Sequence, residues 1–188
     1  MYKKLEFLTY TKKYIKEFEV LMDKKLKSEF IKYFGEEKWN QENMLSKLWP
    51  IQLVICKDLG IEPISVVVEE IEEDSRYYIK EDYIAISNKL IMDEIETIKC
   101  LLHELKHAQQ FKCITDEGST HPFKEIWIAE LIYEASGISQ EEQLGLMIEI
   151  DAYAYQKLMM KKLFDIDWHY PNEEYDKVID SYVEKYLK

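Results

Sequence analysis

Residues 83–110 decide the fold. They open with Tyr83-Ile84-Ala85-Ile86-Ser87 and run, past Leu90, to Leu101-Leu102-His103-Glu104-Leu105-Lys106-His107-Ala108-Gln109-Gln110. The first five residues read as a short strand. Beyond them the apolar period changes. Ile91, Ile95, Ile98, Leu102 and Leu105 share one stripe, which predicts a helix over about residues 90–112.

Upstream, Ile64-Ser65-Val66-Val67-Val68 is β-branched and Tyr77-Tyr78-Ile79 follows a charged turn. With residues 83–87 these predict two or three short antiparallel strands over 64–87. Residues 41–59 carry Met44, Leu45, Leu48, Ile51, Ile55 and Leu59 at helical spacing, stopped by Gly60. Pro50 lies inside that stretch and is expected to kink or split it. Residues 1–34 read as an amphipathic helix ended by Gly35. Downstream, Pro122 opens a helix over about 122–136, closed by Gly137. Ser139-Gln140-Glu141-Glu142 has capping-box spacing and opens a helix to about 163. A loop from Asp165 to Asn172 leads to a last helix over 173–187. The expected architecture is α+β and mainly helical, with a small antiparallel sheet just before the 90–112 helix. One domain spans 1–188, with N-terminal helices in 1–60, a core in 64–163 and a C-terminal helix in 164–188.

The 188 residues are 47% hydrophobic and carry a net charge of −12. That is enough apolar surface for one core without disulfide staples. The acidic balance argues against a nucleic-acid partner, because phosphate binding needs local positive charge. No apolar h-region follows the N-terminus, where Lys12, Lys13, Lys16 and Glu17 intervene. No run of about 18 uncharged apolar residues is present to span a membrane. Cys56, Cys100 and Cys113 are an odd count without metal spacing, as expected of free thiols in a cytoplasmic protein. The Tyr and Trp residues recur at helical spacing and read as packing. Glu69-Glu70-Ile71-Glu72-Glu73-Asp74 reads as a solvated turn, and Lys3-Lys4, Lys12-Lys13 and Lys24-Lys25 as a solvated helix face.

His103-Glu104-Leu105-Lys106-His107 is an HExxH motif. Histidines at i and i+4 project from one helix face, one turn apart, so both imidazoles can bind one Zn²⁺. Glu104 lies about 100° round the helix from His103. From there it can act as general base on a metal-activated water without being a ligand. Two of the chain's four histidines fall in these five residues, and Leu101, Leu102, Leu105 and Ala108 set them beside the core.

A catalytic zinc site takes a third protein ligand and keeps one position for water. His121 before Pro122 and His169 before Pro171 are candidates. Cys113 stands six residues after His107, but Gln110 occupies the place where that extended motif needs Gly. The stretch Met147-Ile148-Glu149-Ile150-Asp151-Ala152-Tyr153-Ala154-Tyr155 is apolar nearly all the way round, which predicts burial. Two acids inside it need a reason, since an unpaired buried carboxylate is costly. Metal ligation is one reason; a hydrogen bond from Tyr or a backbone amide is the other. Glu149 and Asp151 are about 200° apart, so only one faces the metal. On the wheel Asp151 falls among Leu144, Met147, Ile148, Tyr155 and Leu158, which favours Asp151 as the more buried acid.

The strand at 83–87, the His-Glu-Leu-x-His helix and Glu149-Ile150-Asp151-Ala152-Tyr153, followed by Tyr155 and Leu158-Met159-Met160, together resemble the bacterial and phage gluzincin metallopeptidases. The nearest type is ImmA/IrrE. The resemblance covers about residues 64–160 and implies a zincin-like core. It implies Zn²⁺ held by His103, His107 and Glu149, with Asp151 as the alternative third ligand, and Glu104 as the catalytic base. Two positions depart from the pattern. Tyr153 stands where an Asn or Asp usually orients a ligand histidine, so Asp151 or Tyr153 itself is the candidate for that role. Lys106 stands before the second histidine, where Gly is common.

The expected activity is zinc-dependent hydrolysis of peptide bonds. The resemblance implies a narrow-specificity regulatory protease with a protein or peptide substrate, and neither nucleic acid nor membrane as partner. Tyr153, His121, Tyr133 and His169 are the candidates for stabilising the oxyanion. Substrate is expected to add as a strand to Tyr83–Ser87, taken as a sheet edge. The rival readings are a non-catalytic zinc-binding regulatory or interaction module, and a helical structural protein carrying the motif by chance.

Overall fold

A computed structural model describes residues 43–187. The expected helix over 1–34, its Gly35 stop and Trp39 lie outside the described residues. Helix α1 covers Met44–Leu59 and runs on through Pro50 without being split. Its end is the expected one: Gly60 adopts the left-handed conformation (φ 66°), and its N–H returns to the Cys56 and Lys57 carbonyls.

Three strands follow: β1 Ser65–Glu69, β2 Ser75–Tyr78 and β3 Tyr83–Ser87. The sheet order is β1-β3-β2. β2 pairs antiparallel with β3, but β1 pairs parallel with it, Ser65 opposite Tyr83 and Glu69 opposite Ser87. The sheet is therefore mixed, not antiparallel throughout, and β3 is its centre, not its edge. The physical cause lies in the two connections. The short link after β2 turns back on itself, with Asp82 left-handed (φ 54°) and its N–H on the Tyr78 carbonyl, so β3 must be antiparallel to β2. The acidic run after β1 carries the chain past the position β3 later fills, so β1 meets β3 parallel. Glu70, Glu72, Glu73 and Asp74 in that run are exposed, as a solvated turn requires. Ile84, Ala85 and Ile86 are fully buried. Neighbouring side chains point to opposite faces, so both faces of β3 are covered.

Helix α2, Glu94–Thr115, starts later than expected because Asp93 caps it, accepting from the Glu96 amide. Ile98, Leu102 and Leu105 are buried as the stripe predicts, whereas Ile95 in the first turn is exposed. Helix α3 is Lys124–Glu134. The capping box at Ser139 and Glu142 forms, with both hydrogen bonds present, but it opens only the short α4, Gln140–Leu144. The chain breaks at Gly145-Leu146 and restarts as α5, Met147–Phe164. Helix α6, Glu173–Tyr182, is capped by Asn172 and widens into a π-helical turn, Val183–Leu187.

The main core joins Met44, Leu48, Ile51 and Ile55 of α1, Ile84 and Ile86 of β3, Leu101, Leu102 and Leu105 of α2, and Tyr155, Met159 and Met160 of α5. Burial of each such aliphatic side chain is worth about 1.5–3 kcal/mol. α2 therefore lies at the middle of the molecule, packed against α1, the sheet, α3 and α5. The fold is α+β and mainly helical. Among the described residues no helix is long and apolar enough to cross a membrane.

Candidate metal centre

The stretch of α2 from Leu101 to Lys106 is buried throughout. Its polar members, His103, Glu104 and Lys106, and the later Gln110 must each find a partner or incur the cost of desolvation. Their partners define the site. His103 and His107 stand one turn apart, with their Nε2 atoms 2.9 Å from each other. The Glu149 carboxylate, from the first turn of α5, closes on both. Oε2 lies 3.4 Å from His103 Nε2 and Oε1 lies 3.3 Å from His107 Nε2. These three residues form the described group able to hold a metal ion, with donor atoms all within 4.8 Å of one another. Donors bound tetrahedrally to Zn²⁺ at about 2.0–2.1 Å stand about 3.3 Å apart, so this donor set fits such an ion.

The electrostatics are those of a cation site. Burial alone would lower the proton affinity of His107, but the charge and hydrogen bonding of Glu149 outweigh it and carry the imidazole up to about 9. Burial works against ionised Glu149 too, yet the two histidines hold its carboxyl well below the usual range. The α5 N-terminus adds its own preference for negative charge there. A metal entering this group would have to displace a proton from His107.

Glu104 is not in the triad. It is 5% exposed, and its Oε1 accepts a 2.7 Å hydrogen bond from Ser75 Oγ, at the start of β2. Ser75 is thus a residue of the site that motif reading missed, since it lies 29 positions upstream with no local signal. Asp151 is the more deeply buried acid, its side chain 2% exposed against 24% for that of Glu149, as periodicity indicates. Its burial serves a different partner. Lys106 Nζ lies 3.0 Å from Asp151 Oδ2, Gln110 Nε2 donates to the same oxygen at 2.8 Å, and Tyr182 donates to Oδ1 at 3.1 Å. Asp151 therefore stands outside the donor group, and Lys106 is what its burial answers.

The other candidates separate cleanly. The Tyr153 ring lies 4.4 Å from that of His103. Burial, then the charge of Glu149, pushes its phenol far above the ordinary range, so it remains a hydrogen-bond donor. Tyr175 of α6 is pushed up in the same way, and its hydroxyl is buried without a partner among the described residues. Nothing in the local sequence marks Tyr175. His121 stacks on Trp127 at 4.4 Å, and burial followed by the charge of Lys106 lowers its proton affinity. His169 pairs with Asp176 at 2.8 Å, Tyr133 donates to Glu142, and Cys113 accepts from Gln109. None of these four joins the donor group.

No protein-family model, curated protein or solved structure matches the chain.

Proposed function

We propose that this chain is a zinc-dependent peptidase, with His103, His107 and Glu149 as metal ligands and Glu104 as catalytic base. The observation that carries the reading is the division of labour among four neighbouring side chains. Three converge on one point with donor spacing suited to zinc. The fourth, the acid between the histidines, is withheld from that point by Ser75. A site that only stores a metal has no use for a separately held carboxylate. The resemblance of the motif and of the Glu149 helix to ImmA/IrrE-type gluzincins supports the same assignment.

Zinc bound there would supply the Lewis acidity that activates a water and polarises a peptide carbonyl. The protein's own residues account for the remaining steps. Glu104 accepts a proton from the attacking water and delivers it to the departing amine. Ser75 holds the Glu104 carboxylate in register with α2. Tyr153 and Tyr175 supply protonated phenols near Glu149, suited to donate to developing oxyanion charge. β3 is interior and cannot accept a substrate strand. β2 can: among the described residues its outer edge is unpaired, and its first residue already touches Glu104. An extended peptide added there by strand pairing passes beside the base. The aromatic group of Tyr153, Trp168, Tyr170 and Tyr175, packed together beside His103, limits access and supports a narrow substrate range.

Glu104→Gln tests the assignment. The variant is expected to bind zinc as the native protein does while peptide cleavage falls by at least about 100-fold, the scale of general base catalysis. Unchanged turnover on a peptide library would refute it.

A further inference from the structure

The far nitrogens of the two histidines are treated differently. His103 Nδ1 is buried without a partner among the described residues. His107 Nδ1 lies 2.8 Å from Gln110 Oε1. Gln110 is fully buried, and its other end is doubly engaged: Nε2 donates to the Ile148 carbonyl at 2.9 Å and to Asp151 Oδ2 at 2.8 Å. Both of those groups accept, and the second is paired with Lys106 Nζ at 3.0 Å. Turning the Gln110 amide over would set its oxygen against two acceptors. The orientation is thus imposed from α5, and the oxygen must face His107. An oxygen there can only accept, so His107 keeps a proton on Nδ1, and Nε2, which faces Glu149 and His103, is the nitrogen left to bind a metal once its own proton has gone.

We infer that Gln110 is a positioning residue, held by Asp151, Lys106 and the Ile148 carbonyl, that commits His107 to binding metal through Nε2. The inference rests on the metal reading above. It also explains the buried Lys106–Asp151 pair. The pair sits one step behind the centre and fixes the amide that fixes the imidazole. Partners of this kind typically change metal affinity by 10- to 100-fold when removed. Gln110→Met keeps the volume and removes both hydrogen-bonding ends.

The test uses the full chain. Zinc affinity is measured by competition with a chromophoric chelator for the native protein and for Gln110→Met, with urea midpoints recorded alongside. The expected result is a 10- to 100-fold weaker zinc affinity in the variant. In parallel, ¹⁵N spectra of the native protein loaded with ¹¹³Cd are expected to show metal coupling at His107 Nε2 and a slowly exchanging proton on Nδ1. This second readout needs no variant and stands even where Gln110→Met fails to fold. Metal coupling at Nδ1, or zinc affinity in a folded Gln110→Met within threefold of native, overturns the inference while leaving the metal centre intact. A lowered urea midpoint with unchanged affinity shows a merely structural role and overturns it equally. A native protein that takes up neither zinc nor cadmium overturns the metal reading itself, and the inference with it.

Discussion

Glu149 and Asp151 are two residues apart on one helix and do opposite work, which single substitutions can separate. Asp151 is 1% exposed and neutralises Lys106, itself 6% exposed. Asp151→Ala leaves that ammonium buried without a counter-charge, with only the Gln109 side-chain oxygen, among the described residues, still accepting from it, a loss of about 3–5 kcal/mol. Glu149 is partly open to solvent, and its partners are imidazoles that can give up a proton. Glu149→Ala is therefore expected to abolish zinc binding while destabilising the metal-free protein less than Asp151→Ala does, because His107 can shed the proton that Glu149 holds on it. Urea midpoints of the metal-free variants and zinc content by elemental mass spectrometry check both halves. Equal destabilisation by the two substitutions would contradict the division. This pair also shows what the sequence could convey at the level of residues. His103 and His107 are legible because helical geometry alone puts i and i+4 together. Asp151 is legible as the more buried acid because burial follows periodicity. What periodicity lacks is the identity of the neighbour. The lysine that answers Asp151 occupies a variable position of the motif itself, and the serine that holds Glu104 arrives from another element.

Elements place Glu149, the proposed third ligand. Glu149 is the third residue of α5, so the start of that helix sets its position. The break before α5 is partly readable, since Gly145 ends α4. The restart is not, because its cap comes from another helix. Glu130 of α3 accepts from the Met147 and Ile148 amides at 2.7 and 2.9 Å, satisfying two of the N–H groups a helix start leaves open. A local window therefore extends one helix from 139 to 163 where the molecule builds two. Glu130→Ala is expected to cost about 1–2 kcal/mol by loss of these charged caps. It is also expected to weaken zinc binding, because the turn bearing Glu149 loses its anchor. Thermal denaturation of the metal-free protein and chelator competition measure the two effects; a stability loss without any change in affinity would show that α5 starts in place without its cap. The sheet teaches the same lesson. The unbroken apolar run Ile84-Ala85-Ile86 does carry the signature of a strand covered on both faces. The parallel pairing of β1 depends on where the acidic loop crosses, which no pattern within the strands encodes.

At the scale of the whole molecule, α6 and the segment before it form a strap across α5 that packs Tyr170, Tyr175 and Tyr182 with Ile150 and Ala154, and sets Tyr170 and Tyr175 against Tyr153. Asp176 is its main fastening. Lys157 Nζ lies 2.8 Å from Oδ1, the Tyr170 amide donates to Oδ1 at 2.8 Å, and His169 Nδ1 lies 2.8 Å from Oδ2. Desolvation works against the carboxylate, but the Lys157 hydrogen bond and then those from Tyr170 and His169 outweigh it and hold the group down at about 2. The folded state binds this proton less tightly than the unfolded chain, whose ordinary value is 3.8. The stabilisation is therefore fully present above about pH 4 and is lost as pH falls through about 2. The net charge of −12 means that many other carboxylates titrate over the same range, so the wild-type curve alone cannot isolate this one. Asp176→Asn can. The variant is expected to be less stable than wild type at pH 6, and the gap between their urea midpoints is expected to close as pH falls from about 4 toward 2. Amide exchange in α6 of the variant at neutral pH should rise ahead of exchange in α2, because the strap is fastened by ion pairs while α2 is held by the core. A gap that stays constant down to pH 2 would mean that the strap is held by its aromatic packing and not by Asp176.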